Sequence, residues 1–118
     1  MPGAADYYRA LYEHCRQKPD AVEEHPWGDT VFKVRGRIFA FLGRRDRPGV
    51  TVKPSPDERD VLLELPYVRV ASYVGRFGWV YVTIEDEEAL TLALGLVDDS
   101  YDLISSRGKR RAKATKKG

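Results

Sequence analysis

Cysteine is almost missing. Cys15 is the single one in 118 residues, which excludes an internal disulfide and the disulfide-held scaffolds of small secreted domains. The same scarcity excludes a zinc site built on Cys pairs. Long apolar runs are missing too: Leu90 to Val97 is the longest, it contains Thr91 and Gly95, and about 20 residues are needed to cross a bilayer. The opening Met-Pro-Gly-Ala-Ala-Asp has no basic n-region and no apolar h-region, so no secretory leader is expected and the cytoplasm is the expected compartment.

Catalytic signatures are equally scarce. There is no Gly-Lys-Ser/Thr phosphate loop and no G-x-G-x-x-G following a strand; Gly75-Arg76-Phe77-Gly78 has two glycines and precedes a strand. His14 and Cys15 are adjacent, which turns them about 100° apart on a helix. Asp98, Asp99 and Asp102 lack the glycine-containing loop of a calcium site. Cys15 falls on an apolar helix face and reads as a buried, inert thiol rather than a nucleophile. Carboxylate pairs gather at helix starts, where capping accounts for them. No enzyme activity, no cofactor and no metal are expected.

What is present is an ordinary globular composition, 42% hydrophobic and 32% charged, with length for one domain and one core. The net charge of +2 conceals a division. Arg107, Lys109, Arg110, Arg111, Lys113, Lys116 and Lys117 form an acid-free block of +7, leaving the other 106 residues at −5. Within that body Lys33, Arg35, Arg37, Arg44, Arg45, Arg47 and Lys53 face Asp46 alone, whereas 85–102 hold seven acids and no base. Any one such run can be a solvated face, but a local field steers partners even where net charge is small.

Ala4 to Lys18 reads as a helix, with Tyr8, Leu11, Tyr12 and Cys15 on one face, stopped by Pro19-Asp20. His25-Pro26-Trp27-Gly28 is a turn-forming loop. Strands Thr30–Arg35 and Arg37–Leu42 hinge at Arg35-Gly36, which pairs Val34 with Arg37, Lys33 with Ile38 and Phe32 with Phe39. That register places Phe32, Phe39 and Phe41 on the core face, with Lys33 and Arg35 opposite. A basic turn, 43–49, leads into a third strand, Val50–Lys53, completing a meander. Ser55-Pro56-Asp57-Glu58 predicts a capped helix to about Leu63 or Glu64. A loop from Tyr67 to Gly78, including Arg76, precedes a fourth strand, Trp79–Ile84. The last helix opens at Asp86-Glu87-Glu88, where acids suit the helix dipole. It carries Leu90, Leu94, Val97, Tyr101 and Ile104 to about Ser106, with Gly95 kinking or dividing it. The prediction is thus an α+β domain over 1–106: an antiparallel sheet of three meandering strands plus a fourth, packed by N-terminal, middle and C-terminal helices. A disordered basic tail over 107–118 follows.

Phe77-Gly78-Trp79-Val80 matches the middle of an RNA-recognition signature. However, Gly75 and Arg76 are transposed, Val82 replaces an aromatic, and no helix separates the first two strands, which makes the match a chance one.

Several stretches, taken in order, resemble the MmcQ/YjbR family of small bacterial proteins. They are Cys15-Arg16-Gln17-Lys18-Pro19, His25-Pro26-Trp27-Gly28, Phe32-Lys33-Val34 with Gly36-Arg37-Ile38-Phe39-Ala40, Val50-Thr51-Val52-Lys53, Trp79 with Val80 and Val82, and Leu96-Val97-Asp98-Asp99-Ser100-Tyr101. The resemblance implies a sheet backed by helices in a double-wing architecture, and a DNA-binding label that rests on fold analogy. Lys33 and Lys53 stand in matching motifs and are basic, so the resemblance implies phosphate contacts for them from the sheet face. Three functions follow for comparison. The first is a monomeric DNA-binding module of weak sequence specificity, using Lys33, Arg35, Arg37, Arg44, Arg45, Arg47, Lys53 and Arg76 on one basic surface, with Lys109, Arg110 and Arg111 in the tail. The second is a protein-interaction module, and the third a binder of a small anionic ligand. No membrane role is expected.

Overall fold

The structure is a computed structural model. It describes residues 2–106 in full except for the side chain of Trp27, and residues 107–117 by their backbone alone. In chain order come α1 (Ala4–Arg16), β1 (Val22–Glu24), β2 (Val31–Val34), β3 (Arg37–Leu42), β4 (Gly49–Val52), α2 (Pro56–Leu62), β5 (Val68–Val70), β6 (Val80–Thr83) and α3 (Glu87–Lys117). The expectation for the basic tail, Lys109, Arg110 and Arg111 included, lies outside the fully described residues.

Arg35-Gly36 sets the sheet's first register. Both residues have positive φ, 54° and 77°, the backbone a type I′ hairpin needs. Val34 therefore pairs with Arg37 and Lys33 with Ile38, as expected. At the next pair the expected register breaks. Phe39 is an extra residue, so Phe32 lies opposite Ala40 and Val31 opposite Phe41. Phe39 and Ala40 are both fully buried, and the alternation inverts beyond them. Phe41 leaves the core face and meets Trp79 edge-on, ring centroids 5.5 Å apart. Only Phe32 and Phe39 keep their expected place, because a period of two survives only while the ladder is unbroken.

The sheet has six strands in the order β1-β2-β3-β4-β6-β5, every neighbouring pair antiparallel. The meander and the strand beyond it are as expected, and the α+β class stands; β1 and β5 are additions. Each has three residues, too few to display alternation.

One face of the sheet carries Phe32, Val34, Phe39, Val50, Val52, Val80 and Val82 against Leu11 and Cys15 of α1 and Ala93, Leu96, Val97 and Ile104 of α3. Each such aliphatic or aromatic side chain contributes roughly 1.5–3 kcal/mol on full burial. The buried stripe of α3 runs through Ala89, Ala93, Val97, Ser100 and Ile104, with Leu90 and Leu94 at its margins. Small alanines let the helix lie close to the strands. Gly95 neither kinks nor divides α3: it is exposed and faces open space. Asp86 accepts the Ala89 N–H at 2.9 Å, satisfying one of the donors at the start of α3. At α2 the hydroxyl of Ser55 donates to Glu58 at 3.1 Å and caps no main-chain N–H. Burial pushes the Cys15 thiol up to about 12, so the thiolate is not accessible near neutral pH.

Candidate nucleic-acid interface

An antiparallel meander sends successive turns to opposite ends of a sheet. β3 runs from Arg37 to Leu42 and β4 returns from Gly49 to Val52. Arg35, Arg37 and Lys53 therefore stand at one end, the hairpin end. Arg44, Arg45 and Arg47 stand at the other, the loop end. Six residues of extended chain separate the two by about 20 Å. The single basic surface expected from the run at 33–53 is thus divided in two, because closeness along the chain is not closeness in space.

At the loop end the cations have local occupations. Arg44 donates to both oxygens of Asp46, at 3.0 and 3.1 Å. The guanidinium of Arg45 lies 5.6 Å from the ring centroid of Tyr8. Arg47 lines a cavity of about 670 Å³ with Arg69, Tyr81, Asp46 and Glu85, a mixture of both signs. Lys33, on the sheet face away from the helices, pairs with Glu24 at 2.9 Å. Exposed pairs of this kind add little stability, but they cancel charge where they stand.

The hairpin end is assembled from four segments. Arg35 projects from the β2–β3 turn and is exposed; Arg37 opens β3. Lys53 follows β4, its main-chain N–H donating to the Ser100 hydroxyl at 3.1 Å. Gly78, in left-handed backbone at φ 96°, has Arg59 Nη1 and Lys53 Cε each 3.8 Å from where a Cβ would stand, so these two cationic side chains converge beside it. Arg59 Nε is buried and has no hydrogen-bond partner among the described residues; the Asp60 carboxylate, 4.0 Å away, is beyond bonding reach. β5 pairs with β6 through Val70 and Val80, and Val80 also pairs with Val52. The β5–β6 loop, 71–79, therefore joins this same end. It carries Arg76, whose guanidinium sits 4.8 Å from the ring centroid of Phe77. Tyr73, 96% exposed, lies where this loop reaches back over the open sheet face, lining a cavity with Phe41, Leu42, Thr51, Arg69 and Tyr81.

Acids border this end on its helical side. Ser55, Glu58, Asp99 and Asp102 line one shallow depression. Burial, then repulsion from Glu58, Asp102 and Asp98, holds the Asp99 carboxyl above its usual range. The neighbouring Asp98 faces α1 instead and is bonded by His14 at 2.7 Å and by Lys18.

Of the residues expected at the interface, Arg35, Arg37, Lys53 and Arg76 belong to the hairpin end of the sheet; Arg44, Arg45 and Arg47 belong to the other end, and Lys33 is paired. Arg59 and Tyr73 are not among the expected residues, and Phe77 enters the sequence reading only through the RNA-recognition match taken there as chance. Arg59 lies in a helix of mixed charge with nothing to mark it, whereas Tyr73 and Phe77 carried one signal, aromatic side chains in a loop without periodicity. Among the described residues no group of three or more His, Cys, Asp or Glu is arranged to hold a metal ion, and no helix is long and apolar enough to cross a membrane.

No curated protein matches the chain. The fold is similar to the crystal structure of a protein from Pseudomonas syringae, a target of the Northeast Structural Genomics Consortium. The TM-score is 0.65 at 18% identity, over 81% of this chain and 97% of that one; at that identity the likeness speaks for the fold alone. The family model for YjbR matches residues 16–103, the whole sheet with α2 and with α3 as far as Leu103, and the chain accordingly belongs to the YjbR family.

Proposed function

We propose that the protein binds DNA with weak sequence specificity through the hairpin end of its sheet. One observation carries this reading. The packing of α3 runs from Asp86 at its start to Ser100 beside Phe39 and Lys53, so the chain continues past Ser106 from the end that gathers Arg35, Arg37, Lys53, Arg59 and Arg76. The next twelve residues, 107–118, carry seven cations and no acid. Lysines and arginines from separate segments neutralise phosphates, and that term is independent of sequence. Among residues 2–106 no helix carries an uninterrupted basic face, which supports weak specificity.

Two triple variants test the reading because each removes three positive charges. In fluorescence anisotropy at low salt, R35Q/R37Q/K53Q should weaken binding at least tenfold and lower the salt slope by about 0.7–0.9 for each phosphate no longer neutralised. R44Q/R45Q/R47Q should stay within about threefold of the parent protein. Equal losses from both, or no binding by the parent, would overturn the assignment.

A further inference from the structure

We infer that the hairpin end takes DNA as a single strand, with unpaired bases stacked on Tyr73 and Phe77; this rests on the DNA reading above and names the form of its ligand. Tyr73 has φ 62°. The left-handed region costs an L-residue roughly 1–2 kcal/mol, and for a bulky side chain it is an outlier. The Val74 N–H closes onto the Ser72 carbonyl at 2.6 Å, a three-residue turn of the rare, strained positive-φ kind. Gly28, Gly36 and Gly78 occupy other positive-φ positions of the chain, so glycine is available to this fold where such backbone is needed. At position 73 a tyrosine holds it instead, and at 96% exposure its ring gains almost nothing from packing to offset the strain. Strain without packing gain points to a ligand.

The loop holding Tyr73 is braced. Ala71 bonds Trp79, Phe77 bonds Val74 and Gly78 bonds Gly75, all main chain to main chain. Gly75 packs so closely on Val70 that a Cβ would come within 2.3 Å of its Cγ1. Phe77, 57% exposed, follows four residues after Tyr73 in the same braced loop, with Arg76 over its ring. Two accessible aromatic rings and a guanidinium gain little from the outside of a duplex, whose bases are stacked away. They suit unpaired bases, each stack contributing about 1–3 kcal/mol while flanking cations follow the phosphates.

The test uses the full chain with labelled oligothymidine and a duplex of equal length, titrated by anisotropy at low salt. The expected result is tighter binding of the single strand. Tyr73→Gly and Phe77→Ala should each weaken it by about 5- to 100-fold without changing the salt slope, whereas R35Q/R37Q/K53Q changes the slope. Tyr73→Gly relieves backbone strain at an exposed position and so keeps the fold; its circular dichroism melt checks this. A duplex bound as tightly as the strand, or Tyr73→Gly binding like the parent protein, overturns the single-strand inference and leaves the DNA reading standing. An oligouridine bound more tightly than oligothymidine overturns the assignment to DNA. No binding of any of these probes removes both.

Discussion

From a fully buried position on α3, the hydroxyl of Ser100 donates to the main-chain carbonyl of Phe39 at 2.7 Å. The same oxygen accepts the N–H of Lys53, so one side chain stitches the helix to β3 and to the end of β4. It also satisfies a main-chain acceptor at the bulge and a donor just beyond a ladder's end. Ser100→Ala should cost about 1–3 kcal/mol, the range for leaving buried polar groups without partners. Urea denaturation measures it; a midpoint equal to that of the parent protein would show the two main-chain groups finding other partners.

Tyr81 depends on two glycines. A Cβ on Gly49 would stand 2.1 Å from the Tyr81 hydroxyl oxygen and 2.4 Å from its ring carbon, whereas one on Gly43 would meet the hydroxyl at 2.8 Å and nothing else closer than 3.1 Å. Both alanine variants should lose about 1–3 kcal/mol. Adding Tyr81→Phe should recover part of the loss for Gly43→Ala, with a coupling of about 0.5 kcal/mol or more, and none for Gly49→Ala, because the ring itself obstructs. Rescue of both, or of neither, contradicts the geometry.

Arg35 takes the first central position of its hairpin at φ 54°, where asparagine is favoured. Arg35→Asn should therefore raise stability by about 0.5–1 kcal/mol while weakening DNA binding. A fall in melting temperature would mean that contacts of the arginine side chain support the turn.

Adjacent carboxylates should respond oppositely to pH. Burial works to raise the Asp98 carboxyl, but the bonds from Lys18 and His14 prevail and hold it below the usual range. A depressed folded pKa contributes stability that is full above the unfolded value, about 3.9, and is lost as pH falls through the folded one. Asp99 is raised, so its contribution is present at low pH and disappears as pH rises through its folded value. Asp98→Asn should thus destabilise at pH 7, and by progressively less as pH falls below the unfolded value. Asp99→Asn should stabilise at pH 7. Thermal melts across pH 3–7 distinguish the two, and changes of the same sign would refute the opposition.

Much of the fold was legible where local chemistry decides it. Arg35-Gly36 announced a hairpin, Pro19-Asp20 ended a helix, Asp86 began one, and the alternation of Val80 and Val82 marked a strand; collinear short motifs pointed to the family. Three things were not legible. Strands of three residues, Val22–Glu24 and Val68–Val70, show no period. The extra residue at Phe39 exists only in relation to the facing strand, so no local pattern could warn that Phe41 would turn away. The interface suffered most, since topology parted Arg44, Arg45 and Arg47 from Arg35 and brought in Arg59 and Tyr73 from afar.

The seclusion of Cys15 has a practical side. A cysteine introduced at Arg44 would be the only thiol open to a maleimide dye, and it would sit a strand's length from the proposed contact surface. A fluorophore there reports molecular tumbling without intruding on what is being bound.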